Sequence, residues 1–251
     1  MRDFACLTIT PIELAHAGLA VATARAGGVA VLDREFLSDA DFPQADSNLK
    51  QLLALTQTAT QVGLRLKASQ LTSSRNLIEQ LAGRAHWLIF CDWDASLLSE
   101  LESELPSSQS RTVLLEITNA GQLNALTHKA AVQGLLARGH ESGGWVGEDS
   151  AFILSQKLLA AQALPVYVQG GIGIHSAAAC RVVGAAGVVL DDQLWLMPES
   201  PLPAHWQTLL SKLNGQEATL VGERLGKGCR VLSRPGLQAA ALLQQEAERL
   251  D

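Results

Sequence analysis

The chain lacks the marks of several protein classes. Its four cysteines, Cys6, Cys91, Cys180 and Cys229, are scattered with no C-x-x-C pair, which argues against a zinc site. Cys6, Cys91 and Cys180 sit inside apolar runs and read as reduced core thiols of a cytosolic protein. No apolar run reaches the ~18 residues that a membrane span requires. Met1-Arg2-Asp3-Phe4 carries neither the apolar stretch nor the cleavage site of a signal peptide. The expectation is a soluble, cytoplasmic chain with no membrane partner. No basic block stands out and the formal net charge is -6, so no nucleic-acid partner is expected.

What is present is ample apolar material and a regular alternation. Hydrophobic residues make up 47% and charged residues 18% of 251, enough for a core and against disorder. That length suits one large α/β barrel or two small domains. Eight short, nearly continuous apolar runs recur: Ala5–Thr10, Gly28–Asp33, Val62–Leu66, Trp87–Cys91, Val113–Ile117, Gly134–Ala137, Val166–Gln169 and Gly187–Leu190. Strands of a buried parallel sheet read this way. Segments of helical period lie between them: Leu14–Ala26, Asn48–Thr60, Ser73–Ala82, Ala95–Leu105, Ala120–Ala130, Ala151–Ala163 and Ser176–Val183. Alternation implies βαβ units. Eight strands at this length favour a closed (β/α)8 TIM barrel, with an open doubly wound sheet as the alternative.

After the eighth run the pattern changes. A helix is predicted over Ala204–Leu213. Ala218–Gly222 and Cys229–Leu232 read as a β-hairpin around Gly226-Lys227-Gly228, and Leu237–Leu250 as a final amphipathic helix. The expected organisation is a barrel over 1–214 and a hairpin-helix appendage over 215–251. Two β-runs are not stable alone in water, so the hairpin must pack on something.

Chemistry in barrels sits at the C-terminal ends of the strands. Those ends read Thr10, Asp33, Lys67, Asp92, Glu116, Arg138 to Glu141, Gln169 to Gly171, and Asp191-Asp192. Gln169-Gly170-Gly171-Ile172-Gly173 follows the seventh run and precedes a helix. Glycines there let backbone N–H groups approach an anion, and the helix start favours negative charge. The bland reading is a tight turn. The loop from Arg138 to Glu148 holds His140 and Glu141 as candidate acid or base and Trp145 as a candidate cover for a planar ring. Its bland reading is a solvated loop.

Together these stretches resemble the nitronate monooxygenase (2-nitropropane dioxygenase-like) family. Gly139-His140-Glu141-Ser142-Gly143-Gly144 is similar to its sixth-strand motif G-x-E-A-G-G, Gly170-Gly171-Ile172 to its seventh-strand G-G-I, and Gly184 to Val189 to the approach to its M-G-T motif. The similarity spans the barrel and is specific over Gly134–Leu194. It implies FMN bound at the strand ends by Gly143, Gly144, Gly170, Gly171 and Gly173. Leu190 to Leu194, Glu199 to Pro203 and the tail further resemble a variant barrel at the N-terminus of large modular polyketide synthases.

Three positions depart from the family pattern. Trp145 stands where the family has its basic histidine, and indole has no basic nitrogen at neutral pH. Asp191 and Asp192 stand at the phosphate contact. Arg65 and Arg138 replace neutral amides near the flavin and are candidate phosphate anchors. His140, Glu141 and Lys67 then remain as candidate catalytic groups. The resemblance implies an FMN-dependent oxidoreductase acting on a small-molecule or carrier-bound acyl or polyketide intermediate, with an acyl carrier protein or other synthase domains as partners. The alternatives are a flavin-free barrel with a structural or docking role, and a non-redox barrel enzyme acting on a phosphorylated metabolite.

Overall fold

The computed structural model describes residues 4–11, 17–105, 109–126, 131–161, 164–225 and 228–250. Eight parallel strands close into a barrel: β1 (Ala5–Ile9), β2 (Val29–Asp33), β3 (Val62–Lys67), β4 (His86–Cys91), β5 (Arg111–Ile117), β6 (Gly134–Arg138), β8 (Val166–Gln169) and β9 (Gly187–Leu190), with β9 pairing back onto β1. The short strand β7 (Gly144–Val146) lies outside this ring. All eight expected runs are barrel strands, shifted by a residue or two at their ends.

Period two along each strand sorts the side chains. Leu7, Ile9, Val29, Val31, Ile89, Leu114, Leu136 and Val189 fill the barrel interior with Trp87 and Tyr167, whose rings meet edge to face at 5.4 Å. Carried one step further, the same parity places Asp33, Arg65, Glu116, Arg138 and Gln169 at the C-terminal mouth. The barrel is therefore apolar below and charged above. The opposite parity forms a larger core against the helices, including Leu64, Leu66, Leu88, Phe90, Leu115, Leu135 and Val168.

Those helices are α1 (Gly18–Arg25), α2 (Phe42–Leu55), α3 (Arg75–Gln80), α4 (Ala95–Glu104), α5 (Ala151–Ala161) and α6 (Ile174–Val182). Helix α2 starts six residues before the predicted Asn48, because Pro43 is tolerated in a first helical turn, where no intrahelical N–H bond is lost. The predicted helix over Ala120–Ala130 is a 3₁₀ turn at Ala120–Ala125; residues 127–130 lie outside the described residues, as do 14–16 and 162–163 of two other predicted helices.

Beyond the barrel come α7 (Ala204–Leu210), β10 (Ala218–Val221), β11 (Gly228–Leu232) and α8 (Ala239–Leu250). Strands β10 and β11 form the expected antiparallel hairpin, although Gly226-Lys227 of its predicted turn lie outside the described residues. Its partner is specific: β11 pairs antiparallel with β7, matching Cys229 with Trp145 and Arg230 with Gly144. The glycine-rich loop after β6 is thus partly a strand, held in a three-stranded sheet.

Candidate active site at the barrel mouth

Five charged side chains from four loci on the barrel meet at its mouth. Arg65 Nε and Nη2 donate to Glu116 at 2.8 and 3.0 Å, and Nη1 donates to Glu35 at 2.6 Å and to Asp33 at 3.1 Å. Arg138 Nη1 donates to Glu116 at 2.9 Å and to Glu35 at 3.3 Å. Its Nη2 donates to the carbonyl of Gly143. The members are buried or nearly so. Burial alone would raise Glu35, but the Arg65 and Arg138 guanidiniums outweigh it and hold the carboxyl below its ordinary value. Asp33 goes the other way: burial outweighs Arg65 and raises it. Both arginines stay charged, their carboxylate partners prevailing over burial.

This network revises one expectation. All three guanidinium nitrogens of Arg65 are taken by carboxylates, so it offers none to a phosphate. Arg138 keeps one buried nitrogen, Nε, without a protein partner.

Above the network lies a cavity of about 420 Å³ whose lining includes Glu35, Lys67, Asp92, His140, Trp145 and Glu223. Trp145 stacks on Phe36 with ring centroids 6.4 Å apart and planes 21° apart. The Lys67 ammonium lies 5.8 Å from the centre of the Phe36 ring. His140 Nδ1 is 2.9 Å from the carbonyl of Gly147. A carbonyl only accepts, so Nδ1 carries the proton and Nε2 is left to exchange one with a ligand. Arg230 Nε donates to the His140 carbonyl at 2.7 Å, tying the hairpin to this loop. Glu141 is set apart: its Oε2 accepts the Ala151 N–H at 2.8 Å and caps α5. Of the three candidate catalytic groups, His140 and Lys67 share the cavity and Glu141 faces α5.

Glycines build a second locus where β6, β8 and β9 end. The Asp192 carboxylate stands against the Gly143 backbone, so that a Cβ at Gly143 would overlap its Oδ2. Asp192 is pushed up to about 6, first by withdrawal of its inner edge from water and then by Asp191. Gly170 and Gly171 both hold positive φ, 111° and 62°, which L side chains adopt poorly. The Ser142 hydroxyl, buried and without a protein partner, lies 2.9 Å from where a Gly170 Cβ would stand. Gly173 caps α6, and nothing lies within 4 Å of its Cβ position. Gln193 Nε2 donates to the Ile172 carbonyl at 2.9 Å and Gln169 Nε2 to Asp191 at 2.7 Å, locking the two loops together. An FMN phosphate is an anion, and with Asp192 in place the corner disfavours further negative charge, since burial and Asp191 together raise that carboxyl. The Gly173 N–H is already given to Ser176 Oγ at 2.7 Å, so the orphaned Ser142 hydroxyl and the Gly170-Gly171 backbone are the groups that fit the phosphate once the Asp192 carboxylate gives way.

Sequence reasoning found most strand-end groups but missed Glu35, Phe36 and Glu223. The signal for the first two was the polar Arg34-Glu35 pair directly after a buried strand. Glu223 enters from the hairpin, 83 residues after His140 in the chain, and no local pattern marks it.

Fold and site together define an α/β barrel with a charged mouth and a glycine-built corner beside the ends of β6, β8 and β9. No protein-family model and no curated protein sequence matches the chain. Solved structures do. FabK from Thermotoga maritima superposes with a TM-score of 0.78 at 21% identity, covering 99% of this chain and 78% of that one. The enoyl reductase domain of MlnA, from the macrolactin biosynthesis cluster of Bacillus amyloliquefaciens, gives 0.73 at 12%, covering 99% and 68%. Nitroalkane oxidase from Streptomyces ansochromogenes gives 0.68 at 19%, covering 91% and 76%. The chain shares its fold with these oxidoreductase-type barrels.

Proposed function

We propose that this chain is an FMN-dependent oxidoreductase-type barrel acting on an acyl or polyketide thioester, within or beside a polyketide synthase. The observation that carries the reading is the glycine-built corner of Gly143, Gly170 and Gly171 with its unpartnered Ser142 hydroxyl, on the same end of the barrel as a 420 Å³ cavity walled by Trp145, Lys67 and His140. Likeness to a polyketide enoyl reductase domain and the sequence resemblance support the substrate class. Flavin, when bound, supplies two-electron redox chemistry that no side chain can. This chain's residues supply the rest. The Gly170-Gly171 backbone and the Ser142 hydroxyl hold the phosphate. Trp145, backed by the stacked Phe36 ring, covers one wall of the cavity. Lys67 offsets negative charge on a thioester oxygen. His140, oriented through Nδ1, exchanges a proton at Nε2.

The test is anaerobic reconstitution with FMN, photoreduction, and addition of an enoyl thioester. The expected outcome is a protein-bound flavin spectrum that returns to the oxidised form only when thioester is added. An alkyl nitronate should not be turned over, because Trp145 cannot accept its proton. Folded protein that retains no flavin would defeat the proposal. It would favour the second reading, a flavin-free barrel with a docking role, for which the specific observation is Asp192 standing on Gly143.

A further inference from the structure

Asp192 has no place in the proposed chemistry, yet it sits at the one corner where a phosphate must bind. It opens a 3₁₀ turn, Asp192–Leu196, directly after β9. Its Oδ2 occupies the space that glycine leaves at Gly143. The remainder of the side chain is exposed, so it can rotate away without disturbing a core. The side chains on either side of it are engaged, Gln193 with the Ile172 carbonyl and Asp191 with Gln169. Three further groups bear on its charge: Asp191 and Asp33 are repulsive, and Arg138 is attractive. The buried Ser142 hydroxyl beside Gly170 still lacks a partner, although it lies at the same corner. A carboxylate with two oxygens thus fills a corner whose donor set a phosphate, with three, would satisfy more fully.

We propose that Asp192 is an intramolecular competitor for the phosphate of the flavin, so that it sets the affinity for FMN and the discrimination between FMN and riboflavin. This rests on the flavin reading above. Physically, a phosphate entering this corner must push the Asp192 carboxylate off the Gly143 backbone and then lie beside it. Riboflavin carries no phosphate and escapes both costs. In the wild type the usual advantage of FMN over riboflavin is therefore compressed. Charge, rather than volume, is the quantity that matters, because like charges at contact distance repel more strongly than a neutral amide of equal size.

The experiment titrates FMN, riboflavin and inorganic phosphate into the wild type, Asp192→Asn and Asp192→Gly. Flavin binding is read by fluorescence and phosphate binding by the shift in melting temperature. Asp192→Asn removes the charge and keeps the volume; Asp192→Gly removes both. Neither change touches the core, so both variants should fold. The expected result is FMN affinity at least tenfold higher in both variants, riboflavin affinity unchanged, and stabilisation by phosphate in the variants alone. Equal FMN affinity in all three proteins overturns the competitor role and leaves the flavin reading standing. An equal gain for riboflavin and FMN also overturns it, since Asp192 would then act on the ring. If no protein binds either flavin but phosphate stabilises the variants, the competitor role stands for an anion and the flavin reading falls. Variants that gain affinity for neither flavin nor phosphate overturn the role outright.

Discussion

At the scale of single residues, the barrel mouth is governed by a charge count that leaves little slack. Asp33, Glu35 and Glu116 face Arg65 and Arg138; Glu35 and Glu116 each bridge both guanidiniums, Glu116 at 2.7 and 2.9 Å. Replacing one partner of a buried pair leaves the other charged and desolvated, at a cost of about 3–5 kcal/mol. Glu116→Gln should therefore destabilise by about that amount in a denaturant titration. A loss under about 1 kcal/mol, the range of exposed pairs, would show that the network is wetter and looser than its geometry. Glu116 and Arg138 were legible in the sequence as polar strand ends and Arg65 as a departure from the family pattern, but their mutual engagement was not. Which arginine nitrogen points at a ligand and which at a carboxylate depends on three strands far apart in sequence, and Glu35 lies two residues beyond its strand, marked only by the polar pair Arg34-Glu35. Arg65 was for that reason expected to serve a phosphate when it serves Glu35, Asp33 and Glu116 instead.

At the scale of elements, the eight strands could be read because each is a short apolar run between helical segments, and burial on both faces leaves no other pattern. The three-stranded sheet could not be read in full. Gly144–Val146 is glycine-rich and too short to announce a strand, and its pairing with Gly228–Leu232 joins segments more than 80 residues apart. The consequence is functional, since Arg230 holds the His140 carbonyl at 2.7 Å and Leu220, Glu223 and Gly228 help to line the cavity. Deleting the residues after Asn214 should remove the partner of β7. The expected outcome is a melting temperature lower by about 4 °C or more, each kcal/mol being worth about 2–4 °C at this size, with faster amide exchange at Trp145 and Val146. An unchanged melting curve with unchanged exchange would mean that the loop after β6 holds its shape without the hairpin.

At the scale of the whole molecule, the charged network joins the mouth of the barrel across β2, β3, β5 and β6, so its titration bears on global stability rather than on one loop. Glu35 and Asp33 pull in opposite directions. The folded pKa of Glu35 lies below its ordinary 4.5 because Arg65 and Arg138 prevail over burial. Its contribution is fully present above 4.5 and is lost as pH falls through the lower folded value, since the unfolded chain takes up the proton first. The folded pKa of Asp33 lies above its ordinary 3.8 because burial prevails over Arg65. The folded state therefore holds a proton that the unfolded chain has released, and the ionised carboxylate opposes folding at neutral pH. That opposition fades as pH falls through the raised value toward 3.8. Unfolding free energies measured across this range for the wild type, Glu35→Gln and Asp33→Asn should separate the two. The gap between wild type and Glu35→Gln should narrow as pH drops below 4.5. The stability of Asp33→Asn relative to wild type should be most favourable at neutral pH and decline on acidification. Two difference curves that run parallel would show that the carboxylates share their protons evenly, and that the barrel mouth titrates as one group rather than as an ion pair and a proton-bearing neighbour.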